Sequence, residues 1–117
     1  MVRAIRGAIT IEANTAGAIA DGTQELLREI ARRNSLRSDE VISAFFTLTP
    51  DLDAEFPARA ARAIGWDMPM LDTQEIDVPE SLRRCLRVLL HVDRDGPVRH
   101  AYLRDARRLR PDLEDSQ

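Results

Sequence analysis

The sequence predicts an α+β domain: a mixed β-sheet with one long and one short helix packed on one face. Three observations lead there. Five short stretches read as strands, by two-residue alternation or by runs of β-branched and aromatic residues. One long stretch after the first strand repeats apolar residues at helical spacing. A proline leading a run of Ala and Arg opens a second, shorter helix. The order is β, long α, β, short α, then three β, which suits a single sheet with helices on one side.

Val2 to Ile11 is the first strand. Arg3, Ile5, Gly7, Ile9 and Ile11 share one face, and Ala4, Arg6, Ala8 and Thr10 share the other. Thr15 can cap a helix running to about Arg33, because its hydroxyl can accept from an orphan N–H of the first turn. Ile19, Thr23, Leu26, Leu27 and Ile30 form its apolar stripe, and Asn34 is its stop. Ser38, Asp39 and Glu40 suggest a short helical turn. Val41 to Thr49 is a strong strand, ended by Pro50-Asp51. Pro57 begins the short helix, which covers Ala58 to Ile64 and ends at Gly65. Trp66 to Thr73, Leu82 to Val92 and Val98 to Leu103 are the remaining strands, with a turn at Asp95-Gly96. An irregular tail holds Arg107 to Leu113, and polar residues 114–117 are expected to fray.

The 117 residues fit one domain, residues 1–117. A chain of this size buries a modest core and often leans on oligomer contacts. The second strand gives that a location. Ile42, Ala44, Phe46 and Leu48 lie on one face, and Val41, Ser43, Phe45 and Thr47 on the other. Both faces are partly apolar, yet the two helices cover one. A second copy of the chain is the simplest cover for the other, so the pattern predicts a homo-oligomer.

A net charge of −3 creates no field favouring nucleic acid or anionic membrane. All 17 basic residues are Arg, so an Arg carries meaning through its position rather than its abundance. Cys85 is the lone cysteine, which excludes an intrachain disulfide and suits a reducing, cytoplasmic setting. No Cys/His spacing suggests a metal, and none is expected. Met1 to Ile11 is broken by Arg3 and Arg6, unlike a signal peptide or a membrane span.

Two arginines stand out. In Leu82–Val92 one face is cleanly apolar: Leu86, Val88, Leu90 and Val92. The other reads Cys85, Arg87, Leu89, His91, placing a cation mid-strand. An unpaired buried charge costs several kcal/mol, roughly, so Arg87 needs an anion, either a protein carboxylate or a ligand. Arg6 repeats the arrangement between Ala4 and Ala8. Two such guanidinium groups could clamp a dianion, their planar forks matching carboxylate oxygens. Glu75, in Thr73-Gln74-Glu75-Ile76-Asp77, is by itself an ordinary loop carboxylate, and Arg110-Pro111-Asp112 is equally uninformative alone. His100 and Tyr102 fall on one side of the last strand; a single His with no nucleophile beside it is more often structural. Cys85 reads as a packed thiol.

Together these segments resemble the AroH-type chorismate mutases over Val2 to about Leu113. The resemblance is carried by Arg3-Ala4-Ile5-Arg6-Gly7-Ala8-Ile9-Thr10, Thr49-Pro50-Asp51-Leu52 and Phe56-Pro57-Ala58-Arg59-Ala60. Gln74-Glu75, Cys85-Leu86-Arg87-Val88, Arg99-His100-Ala101-Tyr102-Leu103 and Leu109-Arg110-Pro111-Asp112-Leu113 complete it. It implies a homotrimer with helices outside and active sites between subunits. It also implies a pericyclic rearrangement of chorismate to prephenate in aromatic amino-acid biosynthesis, without metal, cofactor or covalent intermediate. By this resemblance Arg87 is set against the ether oxygen that gains charge, Arg6 binds a carboxylate, and Tyr102 helps hold the side-chain carboxylate. Glu75 takes a hydrogen bond from the ring hydroxyl and orients Arg87. Phe56, Ala58, Arg59 and Arg62 match the segment given by the adjacent subunit, Met70 and Leu71 match lining positions, and Arg110 matches a tail residue that closes on the ligand. Asp72 stands where relatives often carry Cys, and an inward carboxylate there would oppose a dianion. Arg59 replaces a commoner Lys.

Two other classes compete. One is a trimeric small-molecule enzyme such as the reactive-imine deaminases, which also place an Arg at a subunit cleft; the set Glu75, Arg87 and Leu109-Arg110-Pro111-Asp112 argues against it. The other is a non-catalytic carboxylate-binding module, against which stands the presence of every charged residue the rearrangement needs.

Overall fold

A computed structural model describes residues 1–112. The strands are β1 (Val2–Thr10), β2 (Val41–Leu48), β3 (Met70–Gln74), β4 (Cys85–Asp93) and β5 (Ala101–Leu103), and the helices are α1 (Ala16–Asn34) and α2 (Pro57–Ala63). Short 3-10 turns occupy Ser38–Glu40 and Arg104–Leu109. The sheet order is β3-β2-β4-β1-β5. β4 runs antiparallel to β1 and β2, while β3 and β5 run parallel to their neighbours, so the sheet is mixed as expected. No helix among the described residues is long and apolar enough to cross a membrane.

Local chemistry sets the helix ends. The Thr15 hydroxyl accepts from Ala18 N–H at 3.1 Å and caps α1. Ser35 takes the left-handed conformation (φ 46°), and Leu36 N–H closes back on the Ala31 carbonyl at 2.9 Å. Asn34 does more than stop the helix. Its buried amide donates to the Ile30 and Arg99 carbonyls and accepts from Arg99 N–H, tying α1 to the approach to β5. α1 lies directly on β1 at Gly7, where a Cβ would stand 2.7 Å from the Ile30 side chain. Ile5, Ile9, Ala44, Phe46, Leu48, Leu86, Val88, Leu90 and Val92 meet Ile19, Leu26, Leu27 and Ile30 in one core.

One strand interior and three strand starts differ from expectation, each for a traceable reason. Ile42 is an extra residue in the β2–β4 pairing: Val41 pairs Val92, and Ser43 pairs His91. This bulge turns Val41 into the core and leaves Ile42 exposed, the reverse of simple alternation. Trp66 does not start β3. Its N–H still closes α2 on the Ala61 carbonyl while its ring joins the core, and β3 begins at Met70. β4 begins at Cys85 rather than Leu82, because Arg84 is left-handed (φ 46°) and its N–H goes to the Asp51 carboxylate. β5 begins at Ala101, since the preceding residues bond to side chains: Arg99 to Asn34, and the His100 ring to Arg6 N–H.

The face turned away from the helices is not wholly bare. Ala8, Cys85, Tyr102 and Ala106 form a second apolar cluster, with Leu82 and Leu109 against it. Its last turn, Arg104–Leu109, is helical where an irregular tail was expected from Arg107. The chain thus covers one end of the open face itself. Elsewhere on that side Phe45 (37% exposed) and Leu71 (59%) face out. Leu113 and the fraying expected for residues 114–117 lie outside the described residues.

Candidate active site

Strand register assembles the site. Arg87 of β4 pairs with Thr47 of β2 on one side and Ala8 of β1 on the other, and Ala8 pairs with Tyr102 of β5. Thr47, Arg87, Ala8 and Tyr102 therefore form one row across the open face, because directly paired residues point the same way. The next row is Phe45, Leu89 and Arg6. Between the rows lies a concavity of about 310 Å³, bordered by Arg6, Phe45, Thr47, Arg87, Leu89 and Tyr102. Ala8, the small residue in the row, is buried in the cluster with Cys85, Tyr102 and Ala106.

Arg87 has the protein carboxylate it required. Its Nε donates to Glu75 Oε1 at 2.8 Å, and Thr47 Oγ1 donates to the same oxygen at 2.6 Å. Glu75 stands one residue past β3, where its N–H donates to the Leu48 carbonyl at 2.8 Å and continues the pairing with β2. Glu75 is largely shielded (16% side-chain exposure), whereas Arg87 is 45% exposed. Glu75 therefore locks one edge of the guanidinium. No second carboxylate pairs with Arg87 among the described residues.

Arg6 differs. Its guanidinium makes no hydrogen bond or ion pair within the described residues. Its backbone N–H donates to His100 Nδ1 at 2.9 Å, so the neutral ring carries its proton on Nε2. Burial lowers the His100 pKa, and the charges of Arg6 and Arg110 push the same way. His100 is thus a backbone acceptor that shapes the start of β5. Arg110 forks onto Asp112 with Nε–Oδ1 of 3.0 Å and Nη2–Oδ2 of 2.8 Å, beside Tyr102. That hydrogen bond holds the Asp112 carboxyl below its ordinary range, with a smaller contribution from Arg6. Arg6, Arg87, Glu75, Tyr102 and Arg110 thus come together at the open face.

The other expected residues gather elsewhere. Phe56, Arg59, Asp72, Thr73 and Gln74 border a separate concavity of about 370 Å³ beside edge strand β3. Phe56 is 58% exposed, and the Arg59 guanidinium stands 5.3 Å from its ring centroid while also pairing Glu55 at 3.4 Å. Ala58 is buried, and Arg62 is exposed on α2. β3 alternation splits the remaining three. Met70 packs against the core and Asp72 turns to α2 on the helix side, while Leu71 is on the open side. None of the three borders the Arg6–Arg87 concavity within one chain. Burial drives the Cys85 thiol up to about 11, which matches a packed, unreactive group.

The chain matches the family model described as chorismate mutase type I over residues 2–113. It belongs to that family. Similar to this type I chorismate mutase are chorismate mutase AroH of Thermus thermophilus, 50% identical with all of both chains covered, and chorismate mutase AroH of Bacillus subtilis strain 168, 42% identical over 97% of this chain and 93% of that one. A solved chorismate mutase from Clostridium thermocellum superposes with a TM-score of 0.87 at 49% identity, over 90% of this chain and 97% of the other. In this chorismate mutase, sequence reasoning overlooked Thr47, which shares the Glu75 oxygen with Arg87, and Phe45, which borders the concavity. Alternation had already set both on the face opposite Ala44, Phe46 and Leu48. Their pairing with β4 is what aims them at Arg87.

Proposed function

We propose that the open face of this chorismate mutase rearranges chorismate to prephenate, supplying the phenylalanine and tyrosine branches of aromatic amino-acid biosynthesis. The observation that carries the proposal is the pair of unlike arginines across one concavity. Arg87 is held by Glu75, which Thr47 holds in turn, and the Arg6 guanidinium makes no hydrogen bond or ion pair among the described residues.

Chorismate is a dianion, and its rearrangement breaks a C–O bond as a C–C bond forms. Negative charge grows on the ether oxygen, and the side chain must fold over the ring. An acceleration of ~10⁶ requires about 8 kcal/mol of transition-state stabilisation. Two effects can supply it: holding the compact conformer and a preorganised cation at the developing charge. Arg87 is the cation, and Glu75 holds it so that no reorganisation accompanies reaction. Arg6 and Tyr102 take the carboxylates, and Arg110 exchanges Asp112 for substrate. Glu75 also accepts from the ring hydroxyl. No proton transfer, nucleophile, metal or cofactor enters the step.

The assembly is a homotrimer with its sites between subunits. Exposed Phe45 and Phe56 border the Arg6–Arg87 and Phe56–Asp72 concavities, and exposed Leu71 lies on β3 beside them. In the trimer Phe56, Ala58, Arg59 and Arg62 of one subunit wall the site built on Arg6, Glu75 and Arg87 of the next, with Met70, Leu71 and Asp72 along the seam. The compartment is the cytoplasm, consistent with the lone thiol of Cys85. Mixing purified protein with chorismate and following the loss of its ultraviolet absorbance tests the activity; no loss above the uncatalysed rate refutes it. Sedimentation tests the trimer, and a monomer at assay concentration refutes it.

A further inference from the structure

We propose that Asp72 is a positioning residue: by capping α2 it holds the wall that this chain presents to its neighbour's active site. The proposal rests on the trimeric reading above, in which Phe56, Arg59 and Arg62 form that wall.

The start of α2 lacks a cap of its own. Phe56, at the N-cap, offers no side-chain acceptor, and Pro57 has no N–H. Arg59 and Ala60 both donate to the Phe56 carbonyl, at 3.1 and 3.4 Å. Ala58 N–H is left over, on a buried residue. Asp72, fourteen residues on and in another element, brings Oδ1 to 3.0 Å from that nitrogen. The pairing of Phe46 with Asp72 puts this side chain on the helix side of the sheet, where a carboxylate can reach α2. Burial raises the Asp72 pKa, while the Ala58 hydrogen bond and the Arg62 charge pull it back. The carboxylate that would oppose a dianion is thereby directed at a backbone amide. Three residues further along the same segment, Glu75 holds Arg87. One short stretch thus organises the cation of its own site and the wall of the next.

Asp72→Ala should raise KM for chorismate several-fold, on the order of five to ten, with kcat nearly unchanged. Asp72→Asn should restore KM, because its amide oxygen can accept from Ala58. Hydrogen exchange at the Ala58 amide should speed up in Asp72→Ala and recover in Asp72→Asn. The decisive experiment assembles trimers from mixed Asp72→Ala and Arg87→Ala subunits. Every working Arg87 then comes from an Asp72→Ala chain, but part of the walls come from chains with Asp72 intact. A fraction of the turnover with wild-type KM supports action on the neighbour's site. Turnover that keeps the raised KM throughout overturns it, as does an Asp72→Asn variant as impaired as Asp72→Ala, a fall in kcat alone, or unchanged kinetics in Asp72→Ala. If Asp72→Ala does not fold, the KM of Asp72→Asn decides. A wild-type protein with no mutase activity refutes the function instead, and Ala58 exchange still reports whether the cap exists.

Discussion

Arg87→Ala separates the chemistry of the site from the stability of the fold. Among the described residues the guanidinium has one carboxylate partner, Glu75 at 2.8 Å, and it is 45% exposed. An ion pair that open to solvent is worth at most about 1 kcal/mol, so the melting temperature should move little. The effect on catalysis is much larger. Removing one preorganised donor from a developing anion costs ~10²–10³ in kcat. A full charge about 3 Å away, at an effective dielectric constant of about 20, is worth roughly 5 kcal/mol, or ~10⁴ in rate. The expected loss in kcat thus lies between ~10² and ~10⁴, with an intact circular-dichroism spectrum and the wild-type assembly. Stopped-flow or steady-state loss of chorismate absorbance measures it. A kcat within about threefold of wild type would falsify the assignment of Arg87 to the ether oxygen, since no electrostatic role that small meets the requirement.

Arg6→Ala should act mainly on binding. It removes a charge-assisted contact to a carboxylate, worth about 1.5–3 kcal/mol, so KM should rise ~10- to 100-fold while stability holds, the guanidinium making no hydrogen bond or ion pair among the described residues; an unchanged KM excludes that role. Gly7→Ala should destabilise by about 1–3 kcal/mol, since the new methyl meets Ile30 at 2.7 Å and the Ala101 carbonyl at 3.2 Å, and urea denaturation reads it. A variant as stable as wild type would show that α1 can move off β1. Glu29, hydrogen-bonded by Arg32 and then Arg33, has its pKa lowered from 4.5 to about 2. Because the folded value is depressed, its stabilisation is complete above pH 4.5 and is lost as pH falls towards 2. Arg32 stands in water, so its share of that stabilisation is screened by solvent, whereas Arg33 is buried beside Glu29. Glu29→Gln should flatten the acid limb of a stability–pH curve, and a limb as steep as wild type would exclude Glu29 as its source.

How much of this was present in the chain as written differs by element. The α1 boundaries were readable because capping is local: Thr15 and its partner are three residues apart. The short α2 and the sidedness of β1 and β4 were readable for the same reason, since proline chemistry and two-residue alternation act within a few residues. The bulge at Ile42 was not readable, because an extra residue in a strand exists only relative to the strand it pairs with. Nor was the late start of β5, where side chains of Asn34 and His100 replace ladder bonds from 65 or more residues away.

The same division runs through the site. The sequence alone determined that Arg6 and Arg87 sit mid-strand opposite apolar faces and therefore need anions, and the family's motifs marked Glu75 and Tyr102. Only the tertiary structure decided that Thr47, Arg87, Ala8 and Tyr102 align in a single row, that Thr47 and Arg87 share one oxygen of Glu75, and that Asp72 turns to Ala58. Helix caps and strand faces depend on short-range geometry, which neighbouring residues specify. Register between strands, and the partner of a charge, depend on how distant segments pack, and no local rule encodes that.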